Sequence, residues 1–370
     1  MTKIQISNGM FIAMIVNLIF VKAIGVTEGV LARSIGQDMW IATLIGTLQG
    51  IVMMYLTYLA IKKTPDLDFI GLGRALLGQW FAKLVALLIF LFYLAAIGPV
   101  MITFVYHLQE YFLPEAPISL FVIASLLVGA AGCYYGLEVM ARLALVGLLF
   151  IFLLNVMIMI GSLNEFDILN LLPVLEHGFP RTAQASLHFD SDWAMSTMLA
   201  ALLFPFVKDV KKRGGRLGMA GIVVSGIMIS IWAILEAAAL SAEVTGQYTL
   251  ACMKLARNAH IGNFLQRYEM IMIACYSLSM LFMVMFCIYG TYVSAARILG
   301  LKKSKTMIFP ASLILGIFGY WIVEDHFRAM EYLEQYWPII SLPIAFGLPL
   351  LMLSLRMMFG KKLKKEQANA

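Results

Sequence analysis

Charge is scarce in this chain. Only 13% of the 370 residues are Asp, Glu, Lys or Arg, whereas 62% are hydrophobic and the mean hydropathy is +0.88. A water-soluble domain carries about 25% charged residues, so a soluble enzyme is excluded, together with a disordered chain and a coiled coil. Cysteine is equally sparse. Cys133, Cys252, Cys275 and Cys287 form no CxxC pair and no disulfide framework. Walker, GxSxG, HExxH and DFG-type signatures are all missing, so no catalytic residue is assigned and neither a metal nor a cofactor is expected. The five histidines share no ligand-like spacing and read as outer-loop residues. No small-residue cleavage site follows the first apolar run, so a cleavable signal peptide is not expected. The net charge of +6 is no nucleic-acid signal, because the basic residues sit in short blocks between apolar runs.

Long apolar runs are what the chain has in abundance. Only helices and closed barrels satisfy their backbone polar groups in lipid, and runs of about 20 residues fit spanning helices rather than alternating barrel strands. Ten spans are expected, near 8–32, 39–61, 80–107, 118–135, 139–161, 182–207, 217–242, 270–298, 306–323 and 337–359. The basic residues then divide unevenly. Twenty fall on the side of the two termini, including Lys208 to Arg216 and Lys361 to Lys365, and six fall on the other side. The positive-inside rule therefore places both termini in the cytoplasm. The fold class is an all-α integral membrane protein, a single domain over residues 1–370.

Polar groups at membrane depth are costly and usually face a cavity or a partner. The first span carries Lys22 and then Gly25-Val26-Thr27-Glu28-Gly29. Two glycines and a threonine weaken the helix ladder, and an unwound stretch would free backbone groups for a ligand. A GxxxG packing face made by Gly25 and Gly29 is the alternative. In the sixth span Asp190, Ser191 and Asp192 interrupt the apolar run; the edge of an outer loop would do the same. Paired interruptions five spans apart are the pointer to an inverted-repeat transporter. Exposed half-helix termini at such a break suit a zwitterion such as an amino acid. Glu236, in the seventh span, needs a partner or a proton. Lys22 is a candidate partner at similar depth; the alternative leaves Glu236 neutral and turns Lys22 into an aqueous cavity. A fixed Lys22 ammonium would stand in for a coupling cation and make the protein sodium-independent.

The chain resembles the B-subunit family of bacterial spore nutrient-germinant receptors, within the amino acid–polyamine–organocation transporter superfamily. The residues carrying the likeness are Gly36-Gln37-Asp38-Met39-Trp40, Leu113-Pro114-Glu115-Ala116-Pro117, and Tyr135-Gly136-Leu137-Glu138-Val139-Met140-Ala141-Arg142. They continue with Asn170-Leu171-Leu172-Pro173-Val174-Leu175-Glu176-His177-Gly178, Pro205-Phe206 and Arg267-Tyr268-Glu269. Each motif is short, and their order and spacing make the set specific.

The resemblance implies a five-plus-five inverted repeat with broken helices 1 and 6, a nutrient site at the break, and residence in the spore inner membrane. It implies partners as well: a germinant receptor A subunit and a lipoprotein C subunit, besides the lipid bilayer and a small amino-acid ligand. Carried onto this chain, the site would use Gly25, Val26 and Thr27 with Asp190, Ser191 and Asp192. Tyr93, Ile97 and Met101 would line it from the third span, and Ser279, Met283 and Phe286 from the eighth. Lys22, Asp190 and Asp192 depart from the plain apolar pattern of such a site and leave the ligand open. The function implied is a membrane subunit that binds a nutrient and triggers germination. A proton-coupled amino-acid permease of the same fold is the alternative.

Overall fold

The computed structural model describes residues 5–261, 265–266 and 268–368, and the side chains of 265–266 and 360–368 lie outside the description. Lys3, Arg267 and the side chains of the C-terminal lysines, used above in the charge count and the motif set, are therefore outside the described residues. The structure is almost wholly helical. The first helical stretch runs through α1 (Asn8–Lys22), a π-helical turn (Ala23–Thr27) and α2 (Glu28–Ile35), then reaches α3 (Met39–Ile61). A short α4 (Phe69–Leu77) precedes α5 (Gln79–Tyr111), α6 (Ile118–Tyr135) and α7 (Leu137–Gly161). Next come α8 (Phe179–Ala185), α9 (Leu187–Leu203) and α10 (Val210–Leu235), which ends in a second π turn (Glu236–Leu240). Two short helices follow, α11 (Ala242–Gln247) and α12 (Ala251–Asn258), with a small hairpin pairing His260–Ile261 to Leu265–Gln266. The chain closes with α13 (Glu269–Leu299), α14 (Ile308–Val323), α15 (His326–Glu331), a third π turn (Tyr332–Tyr336) and α16 (Trp337–Ala368).

Eight helical stretches of the described residues are long and apolar enough to cross a membrane, the first being Asn8–Ile61 with 54 residues. At 17 residues, α9 is shorter than these. Gly36 separates α2 from α3 with φ +61, a conformation that side-chain-bearing residues rarely adopt. Ser7 caps α1 by accepting from the Met10 N–H at 3.2 Å, and Asp68 caps α4 by accepting from the Gly71 N–H at 2.6 Å.

Burial sorts the helices into two layers. Phe11 through Ile24 of the first stretch, Phe189 through Phe204 around α9, and most of α5 and α13 are almost fully buried, apart from Ile12. Around them α6, α7 and α14 expose Leu127, Leu149, Phe152, Phe309 and Ile317, each more than half accessible. Apolar surface of this extent on an outer layer is covered by lipid tails rather than water. Inside, glycines allow close approach. At Gly50 of α3 a Cβ would stand 2.6 Å from Cγ of Trp193 on α9.

Two expectations are corrected here. The first stretch does not unwind at Gly25 to Gly29; its helix widens into a π turn and continues as α2, so backbone hydrogen bonding passes through the region. Nor do Asp190 to Asp192 interrupt a helix. They lie inside α9, and the discontinuity falls four residues earlier at Ser186.

Gly50→Leu should lower the melting temperature of the detergent-solubilised protein by an amount corresponding to about 1–3 kcal/mol of overpacking. Gly9→Leu, where nothing lies within 4 Å of the added carbon, should leave it unchanged; equal losses in both variants would contradict the packing described.

Candidate functional site

Lys22 closes α1 with only 2% of its surface exposed. An ammonium so placed needs a counter-charge, and α9 supplies it: Nζ of Lys22 donates to Oδ1 of Asp192 in a buried ion pair. Nζ also lies 3.2 Å from Oγ1 of Thr27, and the Thr27 hydroxyl donates to Oδ2 of Asp192 at 2.8 Å. Both carboxylate oxygens are thus satisfied. The π turn makes the triangle possible, because its wider coil carries Thr27 round to the face from which Lys22 reaches. Lys22 therefore pairs with Asp192, and the expected Glu236 partner is replaced because Asp192 reaches the ammonium from within α9.

Below the triangle, Asn17 donates from Nδ2 to the carbonyls of Ala13 and Ala144, both at 2.7 Å, and accepts from the Ser279 hydroxyl at 2.5 Å. These bonds hold α1 against α7 and α13. Ser279, expected to line a ligand site, is engaged in this clamp.

Above it, Gly25 faces α5. A Cβ there would stand 3.0 Å from Cε1 of His107 and 3.3 Å from Cγ2 of Thr103. Nδ1 of His107 bonds the Thr103 carbonyl at 2.6 Å, and Nε2 lies 3.5 Å from Sγ of Cys252. Cys252 belongs to α12, which lies over the π turn with Sγ 4.0 Å from the Gly25 carbonyl oxygen. His107 is thus wholly buried within α5, not an outer-loop residue; the helix continues to Tyr111 and carries it inside. The His107 ring lies 5.6 Å from that of Tyr276, which lies 6.3 Å from Phe20, and Phe20 lies 6.4 Å from Trp232.

Two more carboxylates belong to this region. Glu28 opens α2 and Glu236 opens the π turn after α10; both are 0% exposed. Neither carboxylate has a hydrogen-bond partner among the described residues. Gly29, next to Glu28, packs against the Thr245 carbonyl, and the Thr245 hydroxyl donates to the Glu236 carbonyl at 3.1 Å. Glu28 stood inside the glycine motif, and its signal was a charge within an apolar run.

Of the remaining expected residues, Val26 lies buried in the π turn. Ser191 donates to the His188 carbonyl at 2.5 Å, while Asp190 is buried with Oδ1 unpartnered among the described residues. Tyr93, Ile97 and Met101 have other contacts. The Tyr93 ring packs on Gly290 and on Phe286 at 5.5 Å, and Ile97 and Met101 pack at Gly319 of α14. Met283 is fully buried, and Phe286 stacks on Phe282 and Tyr289. The α5 residues at the π turn are Thr103 and His107, two and six residues beyond Met101. Among the described residues, no group of three His, Cys, Asp or Glu side chains could hold a metal ion.

Two layers of helices enclose the charge pair, and solved transporter structures share this fold. The chain superposes on a nucleobase-cation-symport-1 family transporter, in a closed conformation with bromovinylhydantoin bound, with TM-score 0.70 and 11% identity over 97% of this chain and 94% of that one. A Na+-coupled sialic acid symporter in its substrate-bound outward-open state gives TM-score 0.63 and 11% identity, over 95% of this chain and 78% of the other. These likenesses concern the fold. The sequence matches the spore germination protein family over residues 5–327, and the chain belongs to that family. Spore germination protein KB of Bacillus subtilis (strain 168) is 24% identical over 332 residues, covering 85% of this chain and 84% of that protein. Spore germination protein GerQB of Bacillus cereus is 25% identical over 297 residues, covering 79% of each. The protein is a multi-pass protein of the spore inner or cell membrane.

Breaking one side of a buried ion pair costs about 3–5 kcal/mol, because a charge is left unpaired, whereas replacing both partners with apolar groups is close to neutral. Lys22→Met and Asp192→Leu should therefore each lower the melting temperature in detergent sharply, and the double variant should recover most of the loss. Additive losses in the double variant would contradict the pairing.

Proposed function

We propose that this chain is the membrane subunit of a spore germinant receptor, which binds a small nutrient, an amino acid, beside the π turn of the first span and thereby triggers germination. The observation that carries the reading is the fully buried Lys22–Thr27–Asp192 triangle with Glu28 and Glu236 unpartnered beside it. Charge is kept at membrane depth where a polar ligand or ion is handled. The family assignment supports the role in germination, and the fold neighbour holding bromovinylhydantoin supports a small-molecule site in this architecture.

The same reading includes ten passes in a five-plus-five inverted repeat, with the first and sixth spans as the interrupted pair and both termini cytoplasmic. The stretch Asn8–Ile61 has 54 residues; at about 1.5 Å per residue it is far longer than the roughly 30 Å hydrocarbon core and counts as two passes. The π turn at Ala23–Thr27 and the one-residue turn at Ser186 between α8 and α9 support the choice of these two spans. An A subunit and a lipoprotein C subunit are the partners. Because the Lys22 ammonium is fixed between the two spans, sodium is not required.

Ligand binding works on the joint between α1 and α9. A ligand shifts the balance between open and closed arrangements only by its difference in affinity for them. Contacts made when the π turn and α9 close on the ligand supply that difference, and the resulting movement is passed to the partner subunits.

Glu28 and Glu236 also favour a second reading, a proton-coupled amino-acid permease, since buried carboxylates serve as proton relays in transporters. Proteoliposomes loaded with this chain separate the two. The receptor reading expects saturable amino-acid binding without accumulation inside the vesicles; accumulation driven by a pH gradient supports the permease.

Gly25→Leu should abolish the germination response of spores carrying it, because its side chain enters the space held by His107 and Thr103, while membrane insertion stays intact. A normal response in that variant would remove the site from this position.

A further inference from the structure

Glu28 and Glu236 present four carboxylate oxygens with no hydrogen-bond partner among the described residues, and the hydroxyl of Tyr276 is a fifth unpartnered polar atom. All three side chains are 0% exposed. They belong to one region: Gly29, next to Glu28, packs against the Thr245 and Tyr248 carbonyls, the Thr245 hydroxyl donates to the Glu236 carbonyl at 3.1 Å, and the Tyr276 ring lies 5.6 Å from that of His107, which faces Gly25. Orphaned acceptors buried at this density are costly unless something satisfies them.

Lys22, His107 and Arg33 are committed elsewhere. Lys22 is held by Asp192 and Thr27. His107 turns Nδ1 to the Thr103 carbonyl and Nε2 to Cys252. Arg33, near the end of α2, is tied to Glu334 and to the Gly246 carbonyl. Among the described residues, no group of three or more His, Cys, Asp or Glu side chains is placed to hold a metal ion.

The surrounding walls are aromatic. Tyr276 lies between His107 and Phe20, and Trp232, one turn before Glu236, lies beyond Phe20 with its indole N–H given to Asn155 at 3.1 Å. Carboxylates set among aromatic faces are the chemistry that recognises an ammonium group, which donates to the first and is attracted by the second. Backbone N–H groups, which would bind a ligand carboxylate, are not freed here. The π turn keeps them in the helix's own hydrogen bonds, and the nearest ammonium, Lys22, already has its anion.

The geometry points to an ammonium subsite formed by Glu28, Glu236 and Tyr276, so that the nutrient is recognised through its protonated amine and its carboxylate contributes little. The assignment deepens the receptor reading and rests on it for the premise that a small nutrient enters this region. Its substrate class is therefore wider than amino acids and includes amino-acid amides and small primary amines.

The test is direct binding to the purified full chain in nanodiscs. The probes are glycine, L-alanine and L-valine, their carboxamides, methylammonium and ethylammonium, and the deaminated acids acetate, propionate and isovalerate. The expected result is binding of the carboxamides and alkylammonium ions with affinity comparable to the parent amino acids, and none by the acids. Glu28→Gln and Glu236→Gln keep side-chain shape and should each weaken binding of the carboxamides by about tenfold or more, the worth of a charge-assisted hydrogen bond. Tyr276→Phe keeps the ring and should weaken it less. Binding of the deaminated acids with the carboxamides inactive overturns the ammonium subsite while leaving the receptor reading in place. Unchanged carboxamide affinity in both Gln variants overturns the residues assigned. Failure of every probe on the wild-type chain overturns the subsite and the receptor reading together.

Discussion

A positive charge buried in the apolar interior of a membrane protein has to be matched there, and the rest of this structure is arranged around that need. The ammonium of Lys22 meets the carboxylate of Asp192 with the Thr27 hydroxyl bridging them. Desolvating the pair is costly, so it contributes little net stability compared with an apolar alternative. What it supplies is specificity of contact between α1 and α9. The π turn at Ala23–Thr27 follows from the same demand, since it brings Thr27 and Lys22 onto one partner without ending the helix. The Asn17 clamp fixes α1 to α7 and α13 five residues before Lys22.

The region is roofed by α12 and by the loop between α7 and α8, and the roof is tied to the same helices. Cys252 of α12 sits against His107 and the Gly25 carbonyl. The second π turn, after α10, releases the Ala238 carbonyl, which accepts from the Asp167 N–H at 3.1 Å and from Asn170 Nδ2 at 2.9 Å. The loop carrying those residues is fastened again at the turn between α2 and α3. There Gln37 donates to the Pro173 carbonyl at 2.7 Å, and Asp38 accepts from the Leu175 N–H at 2.7 Å. One backbone and three side-chain hydrogen bonds thus tie the second π turn to this loop, and the loop to the turn between α2 and α3.

Much of this was readable in the amino-acid sequence because the bilayer is a strict solvent. Apolar runs such as 39–61 and 118–135 coincide with α3 and α6. Lys22, Gly25, Thr27 and Asp192 stood out because charge and glycine inside such runs are costly. The pairing of Lys22 was not readable, since the depth of one span relative to another depends on packing between distant segments. Nor was it readable that Thr103 and His107 are the α5 residues facing Gly25, since they share a four-residue spacing with Tyr93, Ile97 and Met101. His107 was misjudged because it falls at the edge of an apolar run, where a helix end and a loop look alike. Asp192 reads as part of an interruption because its partner on α1, Lys22, lies 170 residues away in sequence.

The central claim is that Lys22 and Asp192 join a bulged first span to a continuous α9. An experimental structure of the full chain in a lipid bilayer, at a resolution that places side chains, tests it most directly. The account predicts density bridging Lys22 to Asp192 with a π-helical turn between α1 and α2. Lys22 turned to Glu236 or to an open aqueous cavity, with a straight unbulged first helix, would contradict it.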